Sequence, residues 1–106
     1  MANFVLVYTG GSAGATEADR GKVMEAWGGW FGKLGAKVVD AGNPFGEHAK
    51  NISNGGAVHD GAIGTPATGY SILQADSLND AVDLAKACPV LTSGGKITVY
   101  EVTPAM

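Results

Sequence analysis

Tyr70-Ser-Ile-Leu-Gln-Ala-Asp-Ser-Leu-Asn-Asp-Ala-Val-Asp-Leu-Ala-Lys-Ala-Cys-Pro89 holds a strand signal followed at once by a helix signal. Residues 70–75 alternate in polarity, as a half-buried strand does. Ser77 then offers a hydroxyl to cap a helix, with Asp80 as the acid three residues on. Leu78, Ala81, Val82, Ala85 and Cys88 recur at helical spacing, and Pro89 marks the stop. C-terminal to this unit, residues 96–102 read as a last strand. N-terminal to it, the same βαβ grammar occurs once more. Phe4-Val-Leu-Val-Tyr8 is a first strand, and a glycine-rich break runs from Gly10 to Ala15. Thr16 opens a helix with Asp19 three residues later. Val23, Trp27, Trp30, Phe31 and Leu34 form its apolar face, and Gly35 ends it. Gly28, Gly29 and Gly32 weaken that helix by about 1 kcal/mol each relative to alanine, which suggests a close neighbour.

Residues 38–41 read as a second strand, closed by Gly42-Asn43-Pro44. Between this strand and Tyr70 lies a polar, glycine-rich excursion. Asn54-Gly55 is a two-residue hairpin signal there, predicting short strands over 49–53 and 56–59. The order is β-α-β, hairpin, β-α-β. This is an α+β, ferredoxin-like antiparallel sheet with two helices on one face, in a single domain spanning residues 1–106.

The first strand adds a constraint. Phe4, Leu6 and Tyr8 point to one face, while Val5 and Val7 point to the other. Tyr70, Ile72, Ile97 and Val99 bring further apolar side chains to the sheet. Two helices cover one face only, so the other needs a cover this chain does not supply. A second copy is the expected cover, giving a homodimer joined through the sheet face, and the alternative is a long loop folded over the sheet.

Composition narrows the function. Seven basic residues stand against ten acidic ones, for a net charge of −3, and the lysines are scattered singly. Nucleic-acid binders need a basic stripe to neutralise phosphates. The βαββαβ order is shared with RNA-recognition domains, and Gly69-Tyr70-Ser-Ile-Leu echoes their aromatic motif. Here Thr68 replaces the basic residue and Ile72 the second stacking aromatic, so RNA binding is only a remote alternative. Cys88 is the single cysteine, and the apolar run 4–8 is too short for a signal core or membrane span. Both fit a cytoplasmic protein with no membrane partner.

No metal or cofactor pattern stands out. Two histidines and one cysteine lack metal-ligand spacing. Gly10-Gly-Ser-Ala-Gly14 matches neither the dinucleotide nor the phosphate-loop pattern. Ser12 and Ser71 lack an adjacent base or a nucleophile elbow. Cys88, placed in the last turn of its helix, reads as a small buried hydrophobe, and the two tryptophans as packing.

The segment 68–89, the opening strand, Ala41-Gly-Asn-Pro44 and Val58-His-Asp-Gly61 together resemble the YCII-related family. The last segment is similar to the Asp-Gly-Pro-Phe motif of its DGPF branch. The resemblance implies a dimeric α+β barrel with a small pocket between sheet and helices, and an acid–base site made of a histidine and an aspartate. Two departures stand out. The family's histidine near the first helix is absent from Thr16-Glu-Ala-Asp-Arg-Gly-Lys22, and Ala62-Ile63 replaces Pro-Phe after Asp60-Gly61. Only Asp60 matches a family motif position.

Asp60 is therefore the leading candidate general base, with an Asp-Gly turn as its plain structural reading. His59, adjacent on a strand, would point away from Asp60. His48 is better placed to fold back towards it. Tyr8, Asn43 and Tyr70 have polar tips that suit a ligand pocket. Two functions compete. One is a small-molecule acid–base enzyme of lyase or isomerase type, and the other a non-catalytic ligand-binding or structural dimer.

Overall fold

The computed structural model describes residues 2–11 and 16–103. Six strands and two α-helices follow in the order β1 (Ala2–Thr9), α1 (Glu17–Leu34), β2 (Val38–Asp40), β3 (Lys50–Ile52), β4 (Val58–Asp60), β5 (Ala67–Ala75), α2 (Leu78–Ala85) and β6 (Lys96–Glu101). Short 3₁₀ turns occupy Gly35–Lys37 and Pro89–Ser93. Four strands form one antiparallel sheet in the order β2-β5-β1-β6. This is the ferredoxin-like arrangement, with β3 and β4 paired as a separate hairpin.

Both helix starts follow from local chemistry. The Thr16 hydroxyl accepts from the Asp19 amide at 3.1 Å, and the Ser77 hydroxyl from the Asp80 amide at 3.1 Å. Gly35 ends α1 with φ 54°, its N–H bonding the Phe31 carbonyl.

Burial follows the pleat. Phe4, Leu6 and Tyr8 of β1 are buried, as are Gly69, Ser71, Leu73 and Ala75 of β5. The register places Phe4 opposite Leu73, Leu6 opposite Ser71 and Tyr8 opposite Gly69, so all seven line one face. Trp30 and Leu34 of α1 and Ala81 and Ala85 of α2 close over it. The opposite face carries Val5, Val7, Tyr70 and Ile72, each only half covered. Val5 pairs with Ile72 and Tyr100, and Val7 with Tyr70 and Thr98.

Several expectations need correction. The stripe of α2 is rotated. Leu78 and Val82 are exposed at 46% and 37%, and Leu84 packs inward instead. The Trp30 indole N–H donates to the Leu84 carbonyl at 3.1 Å, which turns that edge of the helix to the core. The helix ends at Ala85, before Pro89, and Cys88 precedes a 3₁₀ turn rather than ending the helix. Cys88 is nonetheless buried. Asn54-Gly55 does not make a two-residue loop. The Gly56 N–H donates to the Ser53 carbonyl and the Ser53 N–H to the Ala57 carbonyl, so β4 starts later than expected. Gly55 has φ 91°, the sign a type II turn needs at its third position.

The glycines of α1 do not admit a close neighbour. A methyl group at Gly28, Gly29 or Gly32 would meet nothing within 4 Å. Gly29→Ala is therefore expected to stabilise the fold by about 0.5–1 kcal/mol, through helix propensity alone. A urea midpoint that falls would contradict this.

Candidate functional site

The candidate residues separate into three places. The first is inside the core. The Tyr8 hydroxyl donates to the Ser71 hydroxyl at 2.7 Å, and Ser71 donates in turn to the Ala41 carbonyl at 2.8 Å. Trp27 meets the Tyr8 ring edge-on at 5.3 Å. Tyr8 is only 5% exposed, so its polar tip is spent within the protein. Burial pushes its phenol well above the usual range. The Ser71 hydrogen bond opposes that shift, and the nearby Cys88 thiol adds to it. Burial likewise pushes the Cys88 thiol up, against the opposing influence of the Val90 backbone and the nearby Tyr8 hydroxyl. Neither group is poised to give up a proton near neutral pH. This chain of hydroxyls anchors the turn that follows β2 from the core side. Ser12, with residues 13 to 15, lies outside the described residues.

The second place is the hairpin. Asp60 ends β4, and its carboxylate receives the Lys50 ammonium at 2.8 Å. The two residues are cross-strand partners, which explains the pair. Asp60 is 89% exposed and Lys50 68%, so water and salt screen the attraction. The Asp-Gly step itself is tied by backbone. The Gly61 N–H donates to the Ala49 carbonyl at 2.8 Å, and the Asn51 amide to the Gly61 carbonyl at 3.1 Å. His59 opposes Asn51 and so occupies the other side of the hairpin from Asp60. His48 and Asp60 share one hollow with Glu47, Ala49, Lys50 and Gly61, about 650 Å³ and wide open to solvent. The structure thus brings His48 and Asp60 to one place and turns His59 away. Ile52 and Val58 lie on the same hairpin side as Lys50 and Asp60, exposed at 70% and 53%.

The third place was not legible from local sequence. On the open sheet face, the Tyr70 hydroxyl donates to Asp40 Oδ2 at 3.1 Å. Asp40 Oδ1 accepts from the Gly42 N–H at 2.8 Å. Phe45 stacks on Tyr70, centroids 5.9 Å apart and planes 28° off parallel. Asn43 sits in the connecting turn, next to Pro44, whose backbone pairs with Gly69. A methyl group at Gly69 would meet the Asn43 carbonyl at 3.1 Å and the Tyr8 ring at 3.4 Å, so the Asn43 backbone lies towards the Tyr8 side, while Tyr70 faces the other side of the sheet. Asp40 lies 30 residues from Tyr70, and no spacing rule links them.

No family model matches the chain, and no curated protein matches it. Among solved structures, the chain is similar to 5-chloro-2-hydroxyhydroquinone dehydrochlorinase TftG from Burkholderia phenoliruptrix AC1100, in complex with 2,5-dihydroxybenzoquinone. The TM-score is 0.55 at 17% identity, over 96% of this chain and 95% of that one. At that identity the likeness establishes the ferredoxin-like α+β fold. Among the described residues, no helix is long and apolar enough to cross a membrane.

Proposed function

We propose that this chain is a cytoplasmic, single-domain homodimer of the YCII-related family, in its DGPF branch, that binds a small organic molecule between its subunits. One observation carries the reading. The sheet face with Val5, Val7, Tyr70 and Ile72 is only half covered by the described chain, and Ile52 and Val58 stand exposed on the hairpin beside the Lys50–Asp60 pair. Part-covered apolar side chains gathered on one face of a small protein favour association. The dimensions support it. The Cα trace is 45 × 42 × 17 Å with a radius of gyration of 15.3 Å. A self-sufficient chain of this length averages about 13 Å. A slab with one half-covered face and a separate hairpin becomes compact when two copies stack. The likeness to a ligand-bound structure supports the choice of a small molecule over a macromolecular partner.

A second reading is an acid–base enzyme of lyase or isomerase type. It rests on His48 and Asp60 lining one hollow, which a partner would have to close before either could work away from bulk water. The dehydrochlorination named for the similar protein gives that reading its assay.

Ligand-observed NMR with a general fragment library tests the proposal. Wild-type protein is expected to yield binders that Ile72→Asp, which charges the centre of the bare face, no longer binds. Fragments that bind both proteins alike would refute an intersubunit site. Chloride release from 5-chloro-2-hydroxyhydroquinone, lost in His48→Gln and Asp60→Asn, would decide for the enzyme.

A further inference from the structure

The half-covered sheet face is apolar along Val5, Val7 and Ile72, yet charged groups stand at its two edges, Lys96 on β6 and Asp40 on β2. Asp40 is bound there to Tyr70, the cross-strand partner of Val7. If packing were the face's sole purpose, this pair would be a liability. Covering a carboxylate and a phenol costs free energy unless their hydrogen bonding is completed. Holding the turn does not require the pair either. Asp40 Oδ1 already takes the Gly42 N–H, Ser71 binds the Ala41 carbonyl from the core, and Pro44 pairs with Gly69. The Tyr70–Asp40 bond is an addition on the side facing the partner.

We infer that Tyr70, positioned by Asp40 and walled by Phe45, is the hydrogen-bond acceptor for a neutral, planar, hydroxyl-bearing ring bound on this face. The inference rests on the dimer reading above and names the ligand class of that site. Its chemistry follows from the atoms. Tyr70 has one proton, and it is committed to Asp40, so towards a ligand its oxygen accepts. Asp40 accepts only. A ligand recognised here must therefore donate, and an anion is repelled by the carboxylate. The apolar surround of Val5, Val7 and Ile72 penalises a ligand with a full charge. The flat stack of Phe45 on Tyr70 offers an aromatic wall, which favours a planar ring. A mostly apolar site with one or two fixed polar atoms is the usual make-up of a small-molecule pocket.

Hydroquinone and 1,4-dimethoxybenzene make the test, since they share the ring and differ in the donor protons. Their dissociation constants would be measured by NMR titration under nitrogen. Sedimentation would be run on the same samples. Wild type is expected to prefer hydroquinone. Tyr70→Phe is expected to weaken hydroquinone about tenfold, the loss of one hydrogen bond, and to leave dimethoxybenzene unchanged. Asp40→Asn, which removes the charge but keeps an oxygen for the Gly42 N–H, should shift the preference the same way by less. A merely structural role would weaken both compounds together. A dimer that binds neither compound at millimolar concentration, binds both alike, or keeps its preference in Tyr70→Phe overturns the assignment and spares the dimer. A monomeric wild type overturns both.

Discussion

Gly42→Ala is expected to destabilise the protein by roughly 3–5 kcal/mol, combining a strained conformation with a steric overlap. Gly42 has φ 80°, which side chains other than glycine's rarely adopt. A methyl group built there would overlap the Tyr70 carbonyl and approach the Ser71 Cα to 3.2 Å. Both contacts are backbone of β5, which is held between β2 and β1 and cannot retreat. The turn must move instead, and it carries the Asp40 carboxylate and the Ala41 carbonyl with it. The bonds to Tyr70 and Ser71 would be lost together. A urea titration followed by circular dichroism measures the loss. An unchanged midpoint would mean that this turn is free to shift.

Phe4→Ala is expected to cost a similar amount, about 3–5 kcal/mol, for a different reason. Phe4 is fully buried on the central strand β1, in a small cluster with Ala75 and Ala81. Its buried neighbours Ala75 and Ala81 are too short to fill the space a lost ring would leave, and Leu84 and Val99, which pack against the cluster from its margin, can close only part of it. A chain of this size has a total stability of about 5–15 kcal/mol, so the variant should be largely unfolded at moderate temperature. Thermal denaturation checks it. A melting temperature within a few degrees of wild type would show that the site collapses around the smaller residue.

The elements easiest to foresee were those fixed by neighbours in the chain. Thr16 with Asp19 and Ser77 with Asp80 cap their helices as expected, because a cap joins groups three residues apart. The split βαβ order followed from the same local signals. The stripe of α2 was harder. Residues 78, 81, 82 and 85 fit helical spacing as well as 81, 84, 85 and 88 do, and only contact with Trp30 selects between them. The hairpin turn went astray because Asn54-Gly55 was followed by a second glycine. With three small residues available, the chain closes through Ser53 and Gly56. The site was least legible of all. The sequence pointed to Asp60 through a motif, and the structure places Asp60 in water on Lys50. Asp40 carries no local signal, because its partner lies on another strand. Pairing across a sheet is a long-range property, and no periodicity within one segment encodes it.

Sedimentation equilibrium of the wild-type chain and of Ile72→Asp tests the bare face most directly. Ile72 is on the central strand β5, its side chain on the half-covered side and out of the core. Its replacement charges the face without opening a hole among the buried residues. The account predicts twice the chain mass for wild type at micromolar concentration, and a folded monomer for the variant. A wild-type protein that stays monomeric up to millimolar concentration, or an Ile72→Asp dimer as tight as wild type, would contradict it.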